Sequence, residues 1–262
     1  MSDIIIGTLC SGSKGNCTLV KYRDTAILVD AGRSTKYIKS ALSSVGILPE
    51  EISAIFLTHS HSDHTSALKV WTSHYHTPIH ASGAVCAAVE KNCGADVLCP
   101  HPIEFEERIG DVIVRSFPTD HDSFGSVGYR FTLGETAVGI ATDLGHVTDF
   151  VRRGLSGCSA AVIESNHDVD MLLRGPYPPD LKQRILSRYG HLSNESGAEF
   201  ARFLADGGTT RLMLAHISEI NNTPELAYRA SSSALSDILE KVELAVSEPA
   251  VPVLFNLRGD NN

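Results

Sequence analysis

The stretch Ile52 to His64 constrains this chain more than any other. Its first half, Ile52-Ser53-Ala54-Ile55-Phe56-Leu57, is a compact apolar run of the length of a buried strand. Its second half is Thr58-His59-Ser60-His61-Ser62-Asp63-His64, the pattern H-x-H-x-D-H. Zinc and similar ions take imidazole nitrogen and carboxylate oxygen at ~2.0 to 2.2 Å, so their ligands must converge on a point. Residues two apart just after a strand project the same way. His59 and His61 can therefore grip one ion, and Asp63 and His64, in the turn into a helix, can reach a second. Whatever fold the chain adopts must bring further ligands to this point.

Three more strand ends offer them. His121 follows Val112 to Phe117 in the run Thr119-Asp120-His121-Asp122, Asp143 ends Thr136 to Ala141, and His216 ends Arg211 to Ala215. A lone strand-end His or Asp is usually a structural hydrogen-bonder. Together these residues complete a three-histidine set (His59, His61, His121) and an Asp/His/His set (Asp63, His64, His216), with Asp143 able to bridge. Two ions held this way leave room for a bridging hydroxide, so the expected cofactors are two divalent ions, Zn²⁺ or Mn²⁺; both suit the donor mix.

The rest of the pattern supplies strands and helices in both halves. Strands are expected at 4–9, 17–22, 25–29, 52–57, 103–105, 112–117, 127–133, 136–141, 160–163, 211–215, 242–246 and 251–257. Helices are expected from a Ser34 cap to Val45, after His64, and at 83–92, 179–188, 194–205 and 224–241. Strict β-α alternation is absent, which disfavours a doubly wound sheet or a (β/α)8 barrel. Two sheets packed face to face with helices outside would bury these runs. No Gly/Ser/Pro tract or fixed repeat divides residues 1–262, so one domain is expected.

Lys plus Arg number 22 against 31 Asp plus Glu, a net charge of −9, so the chain does not coat nucleic acid by bulk charge. No apolar run approaches the ~18 to 20 residues of a membrane span. The N-terminus lacks a basic, then apolar, export signal, and none of the six cysteines forms a C-x-x-C pair. A cytoplasmic protein with free thiols and no membrane partner is the expectation; oligomeric state is not legible.

The H-x-H-x-D-H run followed by His121, Asp143 and His216 resembles the metallo-β-lactamase fold superfamily. The order and spacing match over nearly the whole chain. The resemblance implies an α/β (α+β) fold, a four-layer αββα sandwich of two mixed sheets with metals in the cleft between them. Within the superfamily, Ser11-Gly12-Ser13-Lys14-Gly15-Asn16, Glu164-Ser165-Asn166-His167-Asp168, Gly190-His191-Leu192-Ser193-Asn194 and Leu214 to Asn222 are similar to the WalJ/YycJ group. That group implies 5′→3′ exonuclease chemistry on nucleic acid, DNA before RNA, and kinship with ribonuclease J-type nucleases. Those nucleases carry a large inserted clamp domain. Only 47 residues separate Asp143 from His191 here, so any grip on nucleic acid must come from the core.

The catalytic candidates are Asp63, to orient the hydroxide, and His191, to meet the scissile phosphate or help the leaving group. Ser13 and Asn16, in a loop with free backbone N–H groups, are candidate substrate contacts. So are His167, which follows a strand, and Ser193, beside His191. Lys182, Arg184 and Arg188 read first as a solvated helix face. If nucleic acid binds, they are candidate phosphate contacts. The competing function is a small-molecule hydrolase of the same fold: a glyoxalase II-like thioesterase, a lactonase or a promiscuous β-lactamase. A deep, closed apolar pocket would favour it.

Overall fold

The structure, a computed structural model, describes residues 3–258. One seven-stranded sheet contains β1 (Asp3–Cys10), β2 (Cys17–Tyr22), β3 (Thr25–Val29), β4 (Ile52–Phe56), β5 (Ile79–Ser82) and β6 (Leu98–His101). The other contains β7 (Glu106–Ile109), β8 (Val112–Pro118), β9 (Val127–Leu133), β10 (Thr136–Ala141), β11 (Ala160–Glu164), β12 (Arg211–Ala215) and β13 (Glu243–Val246). The last strand, β14 (Val253–Arg258), returns to the first sheet and pairs antiparallel with β1. The orders are β14-β1-β2-β3-β4-β5-β6 and β13-β12-β11-β10-β9-β8-β7, and each sheet is part antiparallel, part parallel.

Side-chain alternation builds the layers. In β3, Ile27 and Val29 face the core between the sheets while Leu28 faces outward. In β12, Met213 and Ala215 face that core while Leu212 and Leu214 face the opposite way. Strands buried on both faces need apolar residues at every position, which is why these segments read as continuous runs. The first sheet is covered by α1 (Thr35–Ser44), then the short α2 (Ser62–Thr65) and α3 (Leu68–Thr72), then α4 (Gly83–Cys93). The second carries α5 (Asp149–Leu155), α8 (Asn194–Asp206) and α9 (Pro224–Ala234), while α6 (Val169–Arg174) and α7 (Pro179–Leu186) lie in the connection between β11 and α8. The architecture is the αββα sandwich. Phe56 sits fully buried at its centre against Tyr129 and Phe131, and truncating it to Ala would cost about 3–5 kcal/mol.

The expected strand at 103–105 is instead the connection between the two sheets. The Ser116 side chain tethers it, donating to the Ile103 carbonyl at 2.7 Å and accepting from the Phe105 N–H at 2.9 Å. The strands flanking it, β6 and β7, are sheet edges, and β6 contains Pro100, which only an edge tolerates. The helix expected over 224–241 stops at Ala234 and gives way to a separate 3₁₀ turn, Leu239–Lys241. Ser231, Ser232 and Ser233 precede this break, and serine is a poor interior helix former. The helix expected to reach Arg188 ends at Leu186.

The topology also fixes where the chemistry sits. β3 and β4 are parallel neighbours, as are β10, β11 and β12, and β8 runs in the β10 direction through antiparallel β9. The carboxyl ends of these strands lie together within each sheet, and donor atoms of His59 and His121, one from each sheet, meet within 4.8 Å on one rim, where α/β folds place their ligands.

Candidate metal centre

Four of the five histidines of the cluster, all but His61, are held from behind. Thr58 donates from its N–H and its hydroxyl to the two oxygens of buried Asp30, both at 2.8 Å. Asp30 Oδ2 also takes the Nδ1 of His64 at 2.8 Å, and the Thr58 hydroxyl meets His59 Nδ1 at 3.0 Å. His121 Nδ1 donates to the Gly190 carbonyl at 3.2 Å, and His216 Nδ1 to Glu164 Oε1 at 3.0 Å. Acceptors on Nδ1 select the tautomer whose Nε2 lone pair is free, as metal-binding histidines require. The backbone is strained to do this. Asp30, Asp143 and His216 have φ of 63°, 58° and 56°, in the left-handed region that side chains rarely enter. Gly32 lets the chain pass against the motif: a Cβ there would lie 1.6 Å from the Asp63 carbonyl oxygen.

The free atoms meet. Donor atoms of His59, His61 and His121 lie within 4.8 Å of one another, as do those of Asp63, His64 and His216, and those of His59, His64 and Asp143. Asp143 stands between, 3.4 Å from both His64 Nε2 and His216 Nε2 and 4.0 Å from His121 Nε2. Ligands ~2.1 Å from one ion are about 3.0–3.4 Å apart, so these gaps suit a shared cation. The Nε2 atoms of His59, His121 and His216 and Oδ2 of Asp143 are buried without any hydrogen-bond partner. Each such atom costs roughly 1–3 kcal/mol if left unmet. Divalent ions are what this donor set fits.

The charges divide the cluster in two. Burial drives the pKa of His59 and His121 below the ordinary imidazole value, so their lone pairs are free at neutral pH. Burial also presses on His64 and His216, but the facing carboxylates win. Asp143 and Asp30 carry His64 upward; Asp143, Asp63 and Glu164 carry His216 to about 10. Burial would raise Asp63, Asp143 and Glu164, yet their histidine neighbours hold all three low, Glu164 at about 2. Without metal, protons balance these anions, so metal binding on that side releases protons.

A cavity of about 230 Å³ opens onto the cluster, lined among others by Ser13, His61, Asp63, Asp143, His191 and His216. His191 Nδ1 is bonded to Glu164 Oε1 at 2.7 Å, leaving Nε2 as its unused nitrogen. Asn16 is buried. It braces its own loop through Gly12 and places Nδ2 3.1 Å from His64 Nε2. His167 is buried with neither ring nitrogen partnered, and it is absent from the cavity lining. Ser193 is likewise off the cavity; its hydroxyl caps α8 by accepting from the Ser196 N–H.

Two carboxylates escaped the sequence reading. Glu164, fully buried, joins His191 to His216 and accepts from the Leu144 N–H. Its signal was a charge closing an otherwise apolar strand, as at Asp30. Asp122 puts Oδ1 3.3 Å from His121 Nε2 and 3.5 Å from His61 Nε2. Only its adjacency to His121 marked it. α7 was read as a solvated face, yet it brings Leu181, Arg184 and Ile185 over the cavity.

The family model described as the Metallo-beta-lactamase superfamily matches residues 11–216, and the chain belongs to that superfamily. It is 36% identical over 233 residues to exodeoxyribonuclease WalJ of Streptococcus pneumoniae (strain D39), covering 87% of each chain. It is 34% identical over 251 residues to exodeoxyribonuclease YycJ of Bacillus anthracis, covering 93% of this chain and 95% of that one. Among solved structures, the metallo-beta-lactamase fold protein YhfI of Bacillus subtilis superposes with a TM-score of 0.74 at 15% identity, over 97% of this chain and 100% of that one, a likeness of fold alone.

Proposed function

We propose that this protein is a metal-dependent phosphodiesterase acting as an exodeoxyribonuclease. The observation that carries the reading is the set of buried, partnerless donor atoms that converge beneath an open polar cavity. The names of the two relatives, which the chain matches over most of its length, supply the substrate class. His59, His61 and His121 would hold one divalent ion and Asp63, His64 and His216 the other, with Asp143 between them. Zn²⁺ or Mn²⁺, when bound, would activate water and neutralise charge on the phosphoryl oxygens.

The chain's own groups do the rest. Asp63, at the cavity wall and a quarter exposed, orients the attacking water. Glu164 fixes the His191 ring through Nδ1, so Nε2 is the atom that gives a proton to the leaving oxygen. Asp30 and Thr58 orient His64 and His59. Small-molecule pockets are mostly apolar and enclosed. This cavity is open and holds three aspartates and three histidines, with Tyr177, Leu181 and Ile185 its large apolar surfaces, which favours a phosphate ester over a lactone or thioester. No helix among the described residues is long and apolar enough to cross a membrane, and we place the activity in the cytoplasm.

The test is one assay in parallel: purified protein with Mn²⁺ or Zn²⁺ against 5′-labelled single-stranded DNA, RNA, a lactone and a thioester. Stepwise release of nucleotides from the 5′ end of DNA is expected. Turnover of the lactone or thioester alone would overturn the reading.

A further inference from the structure

We infer that Arg184 is the phosphate-binding cation of the cavity and that Asp122 is the residue that positions it. The inference rests on the phosphodiesterase reading and names the group that holds the substrate's charge.

The cavity wall carries Asp63, Asp122 and Asp143, in a chain of net charge −9. The ions assigned to Asp63 and Asp143 would offset those two charges, but the Asp122 carboxylate repels a phosphodiester unless a side-chain cation meets it. Among the cavity-lining residues, Arg184 is the one Lys or Arg. The other basic groups of this region are engaged elsewhere: Lys182 donates to the Leu173 carbonyl at 2.7 Å, and Arg188 pairs with Asp120 at 2.8 Å.

Arg184 is tethered through one nitrogen. Its Nε bonds to Asp122 Oδ2. A guanidinium has five N–H donors, and this tether uses one. The four on the two terminal nitrogens remain, the fork that grips phosphate with two parallel bonds. The other oxygen of Asp122 faces His61 Nε2 and His121 Nε2. One carboxylate thus fixes the distance between the guanidinium and the nitrogens assigned to the first metal. The pair is poorly placed to stabilise the fold, with the Arg184 side chain 56% exposed, and exposed ion pairs contribute little. Its value lies in preorganisation: a long side chain already aimed at the reacting phosphate loses little freedom when substrate arrives.

α7 explains how the residue reaches this position. Pro178 and Pro179 start the helix, and its C-terminal end packs beside the histidine loop. Gly190 fits against it so closely that a Cβ would lie 2.1 Å from the Ile185 carbonyl oxygen. The same glycine's carbonyl accepts from His121 Nδ1. Helix, metal-side histidine and arginine are therefore built as one block.

The experiment uses the metal-loaded enzyme and two readouts: hydrolysis of single-stranded DNA, and calorimetric binding of thymidine 5′-monophosphate. Arg184→Gln should keep its metal content, weaken thymidine monophosphate binding roughly ten- to a hundredfold, and raise KM for DNA more than it lowers kcat. Its KM should also respond less steeply to salt, by about one phosphate contact. Arg184→Lys should recover part of the binding as a point charge. Asp122→Asn should raise KM by less than Arg184→Gln, because the guanidinium is freed and not removed. If wild type degrades DNA but Arg184→Gln binds the nucleotide as wild type does, the inference falls and the phosphodiesterase reading stands. Metal loss in Arg184→Gln would also overturn it, since the arginine would then serve the metal site. If wild type does not cut DNA, both fall.

Discussion

Two histidine clusters lie among the described residues of this sandwich, and one of them has the form of a reactive centre. At the strand-end rim, His59, His121 and His216 are each braced at Nδ1 and left unpartnered at Nε2. At the edge of the sheets, His80 of β5 and His101 of β6 approach Glu107 of β7, with donor atoms again within 4.8 Å. There the imidazoles satisfy each other, His80 Nδ1 to His101 Nε2 at 2.9 Å, and stack between Phe56 and Phe105. Proximity of ligand-type residues is common to both. What separates them is whether the donor atoms are already used. A cluster that leaves buried lone pairs unmet needs an ion to offset the loss; a cluster that pairs internally is complete as protein.

The comparison breaks most readily at its strongest point. His59→Ala should lose metal and essentially all hydrolysis, while His101→Gln keeps both, as read by elemental analysis and nuclease rate on the same preparations. Full metal content in the first variant, or metal loss in the second, would reverse the assignment of the two clusters. Asp63→Ala should come next, abolishing hydrolysis while leaving the thermal transition close to wild type, because the side chain is on the cavity wall and not in the core. Retained turnover would remove Asp63 from the water-orienting role. His191→Ala should keep both metals yet slow phosphodiester cleavage roughly 10²- to 10⁴-fold, the range of a positioned general acid. An unchanged rate would leave His191 a loop histidine, and a lost metal would make it a ligand.

The rim was legible in sequence because its residues terminate apolar strands. A buried run ending in His or Asp announces where the chain reaches an edge, and parallel strands bring such ends together. β3, β10 and β12 have the bounds that their patterns suggest, since strands buried almost throughout leave little polar ambiguity, and β9 has them despite part-exposed Arg130 and Thr132. The edge strands β6 and β7 were not legible. Leu-Cys-Pro-His and Glu-Glu-Arg-Ile gain their conformation from one neighbour's hydrogen bonds and carry little apolar pattern of their own. The same limit hid Glu164 and Asp122. Their roles depend on which histidine lies opposite, His191 and His216 for one and His61 and His121 for the other, and those partners come from distant segments. Arg184 was visible only as a charge on a helix, because nothing local says that α7 folds over the cavity.

The smallest effect belongs to the second cluster, and it tests whether that pair is closed as protein. Burial, with repulsion from His101, lowers the His80 pKa from the ordinary 6.5 to about 4, while nearby Glu107 acts the other way. A base whose folded pKa is lowered takes up a proton more readily when unfolded. The unfolded chain therefore binds more protons between about pH 6.5 and 4, and stability falls as the solution is acidified through that window. His80→Phe keeps a flat ring against Phe56 but cannot titrate. Urea unfolding at pH 7 and pH 5 should show wild type losing more stability than the variant, by on the order of 1 kcal/mol after allowance for solvent screening. The difference between the two proteins isolates the His80–His101 pair, since the rim histidines titrate in both. Equal losses would mean that His80 is protonated as easily in the fold as out of it. The edge pair would then be an open site, and the contrast with the rim would lose its physical basis.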